Sequence, residues 1–204
     1  METRFSMVPP WQAGDDEDAF AVQVIALVQP PVSVAEASSR ETLGAVLDAP
    51  VARRVLAVDG ALDSAAGDWR PAGFDVIGQR AGDLGERMAG AFADAHAAAM
   101  LPMLLIRADT LAVTPDMLAD AARSLVSGEA DAAFGPAADG GFWLLGLRRP
   151  DRSLVVGLPG PGAGQGSVGR VLLDRLASAG LRVALAPRLE VGGAEALPFS
   201  ALRF

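Results

Sequence analysis

The apolar positions of the chain fall into two rhythms. Ala21–Val28 (AVQVIALV) is a near-continuous apolar run rich in Val and Ile, the pattern of a strand buried on both faces of a parallel sheet. Pro30-Pro31 ends it. Ser38-Ser39-Arg40-Glu41 then opens a helix to about Asp48, with Ser38 and Glu41 spaced as a capping box. Arg54–Val58 reads as a second strand followed by an Asp59-Gly60 turn, and Phe74–Gln79 as a third strand. Over Gly82–Met100 the rhythm changes: Leu84, Met88, Ala91, Phe92 and Ala95 recur at helical spacing and share one face. Pro102–Ile106 is a fourth buried strand, ending at Arg107-Ala108-Asp109. Thr114-Pro115-Asp116 starts a helix with Thr as N-cap and Pro in the first position, and Leu118, Ala121, Ala122 and Leu125 supply its inner face. Ala130–Phe134 and Phe142–Leu147 are the fifth and sixth strands. Val168–Ala179 is a helix stopped by Gly180, and Leu181–Ala186 is the last strand.

Strands alternating with helices predict an α/β domain with a largely parallel sheet covered on both faces. Such sheets bind ligands at the carboxyl ends of their strands, where strand order reverses. The glycine- and proline-rich stretch Gly157–Gly169 reads as a long loop, functional or disordered. Residues 1–19 carry Pro9-Pro10 and the acid run Asp15-Asp16-Glu17-Asp18, and read as a flexible acidic tail ahead of one domain over residues 20–204. They lack the cationic start and apolar stretch of a signal peptide, which points to a cytoplasmic location.

Composition narrows the chemistry. With 204 residues and 51% of them hydrophobic, the chain has material for one core of ordinary domain size. The longest apolar run, Ala97–Ile106, is interrupted by Pro102 and is far short of the roughly 18 residues of a membrane span. No cysteine is present, which excludes disulfides, thiolate metal sites and cysteine nucleophiles. The single histidine, His96, cannot build a multi-histidine zinc site, and its place among alanines late in a helix suits a surface or partly buried residue. The formal charge of −8 disfavours binding to nucleic acid backbones. All 17 basic residues are arginine, so Schiff-base chemistry and a lysine-type phosphate loop are barred.

Three places could carry chemistry. Asp109 follows the fourth strand and would sit at the ligand crevice, able to hold Mg²⁺ or Mn²⁺ through oxygen; equally, it could be a turn aspartate bonded to backbone amides. Asp139-Gly140-Gly141 could touch a sugar hydroxyl or a metal-bound water, or be an ordinary Asp-Gly hairpin turn. Gly82, Asp83 and Arg87 open the long helix, where free amides and a cation suit a pyrophosphate; Asp83 is also a good N-cap with Glu86 as its partner. Trp143 lies in the sixth strand and reads as core, while Trp11 and Trp69 share no periodic stripe with it.

The order of these segments resembles a family of small bacterial glycosyltransferase-like proteins once catalogued as a domain of unknown function. That family runs G-D-L-G-E-R, a helix, a strand ending G-[ST]-D-[SC]-P, then G-P-x-x-D-G-G-[YF]-[YW]-L-[IL]-G-L. This chain reads GDLGERM at Gly82–Met88, IRADTL at Ile106–Leu111 and GPAADGGFWLLGL at Gly135–Leu147. More loosely, it is similar to guanylyltransferases acting on phosphorylated hydroxy acids and to molybdenum-cofactor nucleotidylyltransferases. The resemblance implies the GT-A fold: a single Rossmann-like, three-layer α/β/α domain with a mostly parallel sheet. By match, Asp109 is the metal aspartate. Gly82, Asp83 and Arg87 lie on the nucleotide side. Gly140 and Gly141 line the substrate side with Asp139, the best candidate for a catalytic base.

The chain departs from that family in four places. The loop after the first strand, P-x-P-G-x-V-K-T-R-L in the family, is QPPVSVAEASSRETL at Gln29–Leu43, leaving only Arg40 of its basic cluster. The aspartate turn has lost its proline and gained Arg107. The W-[SG]-T segment is replaced by glycines at Gly160–Gly169, and the late D-V-D-T run is Glu190-Val191-Gly192-Gly193, without its second carboxylate. Each change removes a contact to phosphate or metal. The expected activity is therefore a metal-dependent glycosyltransferase using a nucleotide-diphospho-sugar and an unspecified acceptor. A catalytically weak or inactive binding module, or a nucleotidylyltransferase, are the alternatives.

Overall fold

The computed structural model describes residues 19–28, 37–58, 72–159 and 166–191. The acidic tail, Trp11, Trp69 and, within the loops at Gln29–Leu43 and Gly157–Gly169, residues 29–36 and 160–165 lie outside the described residues. The elements, in chain order, are β1 (Phe20–Leu27), α1 (Ala37–Asp48), β2 (Val51–Val58), β3 (Asp75–Gly78), α2 (Leu84–Ala98), β4 (Met103–Arg107), α3 (Pro115–Ser127), β5 (Ala132–Pro136), β6 (Phe142–Leu147), α4 (Arg152–Val155), α5 (Gly166–Ser178) and β7 (Val183–Leu185). They build one sheet in the order β3-β2-β1-β4-β6-β5-β7. Every neighbouring pair is parallel except β4–β6 and β5–β6, because β6 runs against both strands beside it.

Side chains alternate across the sheet and sort into two cores. One face packs Val22, Val24, Leu104, Ile106 and Trp143 against α1 and α3. The other packs Ile25, Leu27, Met103, Leu105 and Phe142 against α2, α4 and α5. The central strands β1 and β4 contribute to both, which is why they read as unbroken apolar runs. The expected three-layer architecture with a mostly parallel sheet is thus the one observed.

Helix ends follow their local chemistry. The Oγ1 of Thr114 accepts from Met117 N at 3.3 Å, Pro115 takes the first turn, and Gly128 closes α3 in the left-handed conformation. Asp83 caps α2 by accepting from Glu86 N at 2.9 Å. The capping box expected at Ser38 does not form, since α1 already begins at Ala37 and Ser38 lies inside its first turn.

Strand bounds differ where polar side chains satisfy themselves inside the sheet. β2 starts at Val51 instead of Arg54 because two arginines are accommodated. Arg53 donates to Asp75 Oδ2 at 2.7 Å and to Gln23 Oε1 at 2.9 Å. Arg54 donates to the carbonyls of Val46 and Ala49. β5 is displaced toward Pro136, and Asp131, expected inside the strand, holds its edge instead. Its carboxylate accepts from Nε and Nη2 of Arg182, each at 2.9 Å, and from Arg182 N at 3.2 Å.

That arrangement holds the Asp131 pKa down, from 3.8 to about 2, chiefly through the Arg182 side-chain hydrogen bonds. A depressed carboxylate pKa contributes stability above the unfolded value and loses it as pH falls through the folded one. Asp131→Asn is therefore expected to remove part of the acid sensitivity between pH 3.8 and about 2. Denaturant midpoints of the two proteins, compared over that interval, should converge as pH drops. A constant gap down to the lower limit would show that Asp131 is not the group titrating. The pair is open to solvent, so added salt should shrink the difference.

Candidate active site at the carboxyl edge of the sheet

The carboxyl ends of β1, β2 and β4 open on one edge. Because β6 is antiparallel, the turn from β5 into β6 opens on that same edge. The sheet topology thus brings Asp109, just past β4, beside Asp139 in that turn.

Arg107 joins them. It is the last residue of β4 and alternates with Met103 and Leu105, so it faces the same side as they do. Its Nε donates to Asp109 Oδ1 at 3.0 Å and its Nη2 to Asp109 Oδ2 at 2.7 Å. Its Nη1 donates to Asp139 Oδ2 at 3.2 Å. Parallel N–H bonds from one guanidinium to one carboxylate are among the stronger charge-assisted contacts. The Asp109 side chain is only 5% exposed, that of Arg107 16% and that of Asp139 26%. Burial lowers the pKa of Arg107, but the hydrogen bonds and charge of Asp109, with Asp139 behind them, outweigh it and the net direction is upward.

The surrounding backbone holds this group in place. Ala108 N donates to Leu27 O, and the Thr110 hydroxyl to Arg107 O at 2.8 Å. Thr42 of α1 donates its hydroxyl to Thr110 O. Thr110 also forms an antiparallel bridge with Val191. Two residues on, Ala112 has φ +60°, an uncommon conformation for a residue with a Cβ. Asp139 Oδ1 accepts from Gly141 N at 2.8 Å. Gly140 turns the chain at φ +82°, where a side chain would be strained. The first turns of α5 rest directly on this hairpin. Gly169 N donates to Gly140 O at 3.2 Å, and a Cβ at Gly169 would lie 2.4 Å from Gly141 O.

The sequence-predicted residues therefore fall into two groups. Asp109, Asp139, Gly140 and Gly141 are brought together. Gly82, Asp83 and Arg87 stand at the start of α2, the helix that packs over β1 and β4 on the same face of the sheet as α4 and α5. There Asp83 acts as the N-cap, and Gly85 lets α2 approach α4 closely, a Cβ there falling 2.1 Å from Val155 O. A side-chain tie from this turn reaches α4, between Glu86 and Arg152. Two further residues shape the edge. Arg107 was legible only as a departure from the resembled motif. Gln79, the last residue of the expected third strand, ties β1 to β2 by donating to Val28 O and Ala57 O.

A cleft of about 640 Å³ lies alongside, lined by Leu111, Ala112, Ala138, Arg188, Leu189 and Glu190. A cleft of about 720 Å³ lined by Asp131, Arg148 and Asp151 lies at the opposite edge, away from these carboxylates. No helix of the described residues is long and apolar enough to cross a membrane.

Comparison with known proteins adds the fold relationship. The crystal structure of a "putative nucleotide-diphospho-sugar transferase" from Desulfovibrio desulfuricans G20 is similar at a TM-score of 0.68, with 19% identity over 84% of this chain and 82% of that one. Glucosyl-3-phosphoglycerate synthase from Mycobacterium tuberculosis, solved with Mn²⁺, UDP and glucosyl-3-phosphoglycerate, is similar at 0.57, with 16% identity over 93% of this chain and 75% of that one. A CMP:2-keto-3-deoxy-manno-octonic acid synthetase complexed with CTP is similar at 0.54, with 12% identity over 82% and 88%. The comparison with curated proteins gives no match. The shared architecture is that of GT-A nucleotide-diphospho-sugar transferases. The family described as "Uncharacterized protein conserved in bacteria (DUF2064)" matches residues 42–159, more than half of the chain and the whole of the segment that carries Asp109 and Asp139. The chain therefore belongs to the DUF2064 family, as a divergent member with the GT-A fold.

Proposed function

We propose that the chain binds a nucleotide-diphospho-sugar along the carboxyl edge of the sheet and transfers the sugar to an acceptor hydroxyl. The observation that carries this reading is the Asp109–Arg107–Asp139 cluster, built where α/β sheets of this kind take their ligands. The amino ends of α1 and α2, with Arg40 and Arg87 close behind them, supply positive polarity for a diphosphate. Gly82 and Asp83 belong to that nucleotide side, and Gly140 and Gly141 to the sugar side. Asp139 is the more accessible of the two carboxylates and is the group that takes the acceptor's proton.

The similarity to a Mn²⁺-bound synthase raises Mg²⁺ or Mn²⁺ as the cofactor, with Asp109 as its ligand. The residues present do not fit it in this arrangement. Both oxygens of Asp109 are engaged by Arg107, and no group of three or more His, Cys, Asp or Glu able to hold a metal occurs among the described residues. A module that binds nucleotide without transfer is the second reading, favoured by the same occupied carboxylate. Nucleotidyl transfer is a third, suggested by the likeness to the synthetase with CTP.

Thermal unfolding in the presence of UDP, GDP, CDP and their sugars tests the binding. A ligand at about 100 times its Kd should add roughly 2.7 kcal/mol of apparent stability. One nucleotide series should raise the melting temperature, and Asp139→Asn should abolish release of nucleoside diphosphate while leaving that rise in place. A flat response to every nucleotide removes the proposal.

A further inference from the structure

We infer that Arg107 is a resident cation that engages both oxygens of Asp109, the residue the resemblance matches to a metal aspartate, and one of Asp139, so that nucleotide binding at this edge does not depend on metal. The inference deepens the nucleotide-sugar reading and rests on it. A guanidinium carries five N–H groups. Three are spent on the two carboxylates, leaving one on Nη1 and one on Nη2 for a ligand oxygen. A divalent ion entering here would have to break a two-bond carboxylate pair whose acceptor is 5% exposed, and would meet a fixed positive charge beside those same oxygens. The fourth carboxylate oxygen, Asp139 Oδ1, is committed to Gly141 N. All four oxygens of the pair therefore have donors without any ion.

Electrostatically, Arg107 reduces the combined charge of the two carboxylates from two negative charges to one. An incoming diphosphate thus meets less repulsion than two bare aspartates would give it. The arrangement also accounts for the position of the arginine, because the last inward-facing residue of β4 is placed to reach forward to the turn two residues on and across to the hairpin at Asp139.

Binding of Mn²⁺ itself, followed by the electron paramagnetic resonance of the free ion, tests this directly. The unaltered protein should leave Mn²⁺ free at millimolar concentration. Arg107→Ser should bind it at least about tenfold more tightly, a gain of roughly 1.4 kcal/mol. That gain should vanish when Asp109→Asn is added. Saturable Mn²⁺ binding by the unaltered protein that Asp109→Asn abolishes would overturn the inference, and this arm does not require the serine variant to fold. Arg107→Gln, which keeps side-chain donors and drops the charge, offers a second variant in which Mn²⁺ binding should emerge. In parallel, the melting-temperature rise with UDP or GDP should be the same in EDTA and in Mn²⁺. A rise seen only with Mn²⁺ sinks the inference and leaves the nucleotide reading standing. No rise with any nucleotide sinks that reading, while the Mn²⁺ titration still decides the role of Arg107.

Discussion

Arg107→Ala is expected to cost about 3–5 kcal/mol of folding stability, because it leaves a carboxylate without its partner in a nearly water-free place. The side chain of Asp109 is 5% exposed, and Arg107 is the donor to both of its oxygens. The loss does not measure the worth of the ion pair. Removing both charges together is a different experiment, since desolvation of the pair roughly offsets its attraction. The double variant Arg107→Met with Asp109→Leu should therefore recover most of the stability lost by Arg107→Ala. Urea unfolding of the three proteins at neutral pH measures the comparison. A loss below about 1 kcal/mol for the single variant would mean that Asp109 reaches water by a small rearrangement, and that the pair belongs with exposed salt bridges.

Trp143→Ala carries a loss of similar size, about 3–5 kcal/mol, by another route. Trp143 is fully buried in β6 and is the largest side chain of the core on the α1 and α3 face. Its Nε1 donates to Pro187 O at 2.8 Å, so the substitution removes a large apolar volume and a hydrogen bond together. The neighbouring strand has no room to compensate from its own atoms. Gly135 lies under the indole, where a Cβ would sit 2.4 Å from Nε1. Circular dichroism during urea unfolding is the suitable readout, since the change removes a fluorophore. Trp143→Phe should lose clearly less. Equal losses would show that the segment at Pro187, held through the indole, matters more than the filled volume.

Much of this was legible in the sequence for identifiable reasons. β1 and β4 are buried on both faces, so their composition alone marks them. The bounds of β6 are legible because Gly141 and Arg148 bracket a wholly apolar run. The start of β2 at Val51 is hidden in the sequence because Arg53 and Arg54 look like a strand end, and only the fold supplies Asp75, Gln23 and two helix-end carbonyls to receive them. The single turn of α4 is too short to show a period. The loop expected over Gly157–Gly169 is shortened at its far end, because α5 begins at Gly166 despite its glycines. Within the candidate site, the grouping of Asp109 with Asp139 follows from the strand–turn pattern. Its key contact does not. The reach of Arg107 to a carboxylate 32 positions away depends on β6 running backwards, which no local spacing encodes.

The reversed strand has one more effect. β6 is hydrogen-bonded along both edges, between β4 and β5, and presents no free ladder to solvent. The floor beneath the two carboxylates thus belongs to the part of the molecule that opens only with global unfolding, where amide protons exchange most slowly. Any breathing that admits a ligand must come from the rim segments around this floor, the turns that carry Asp109 and Asp139 among them.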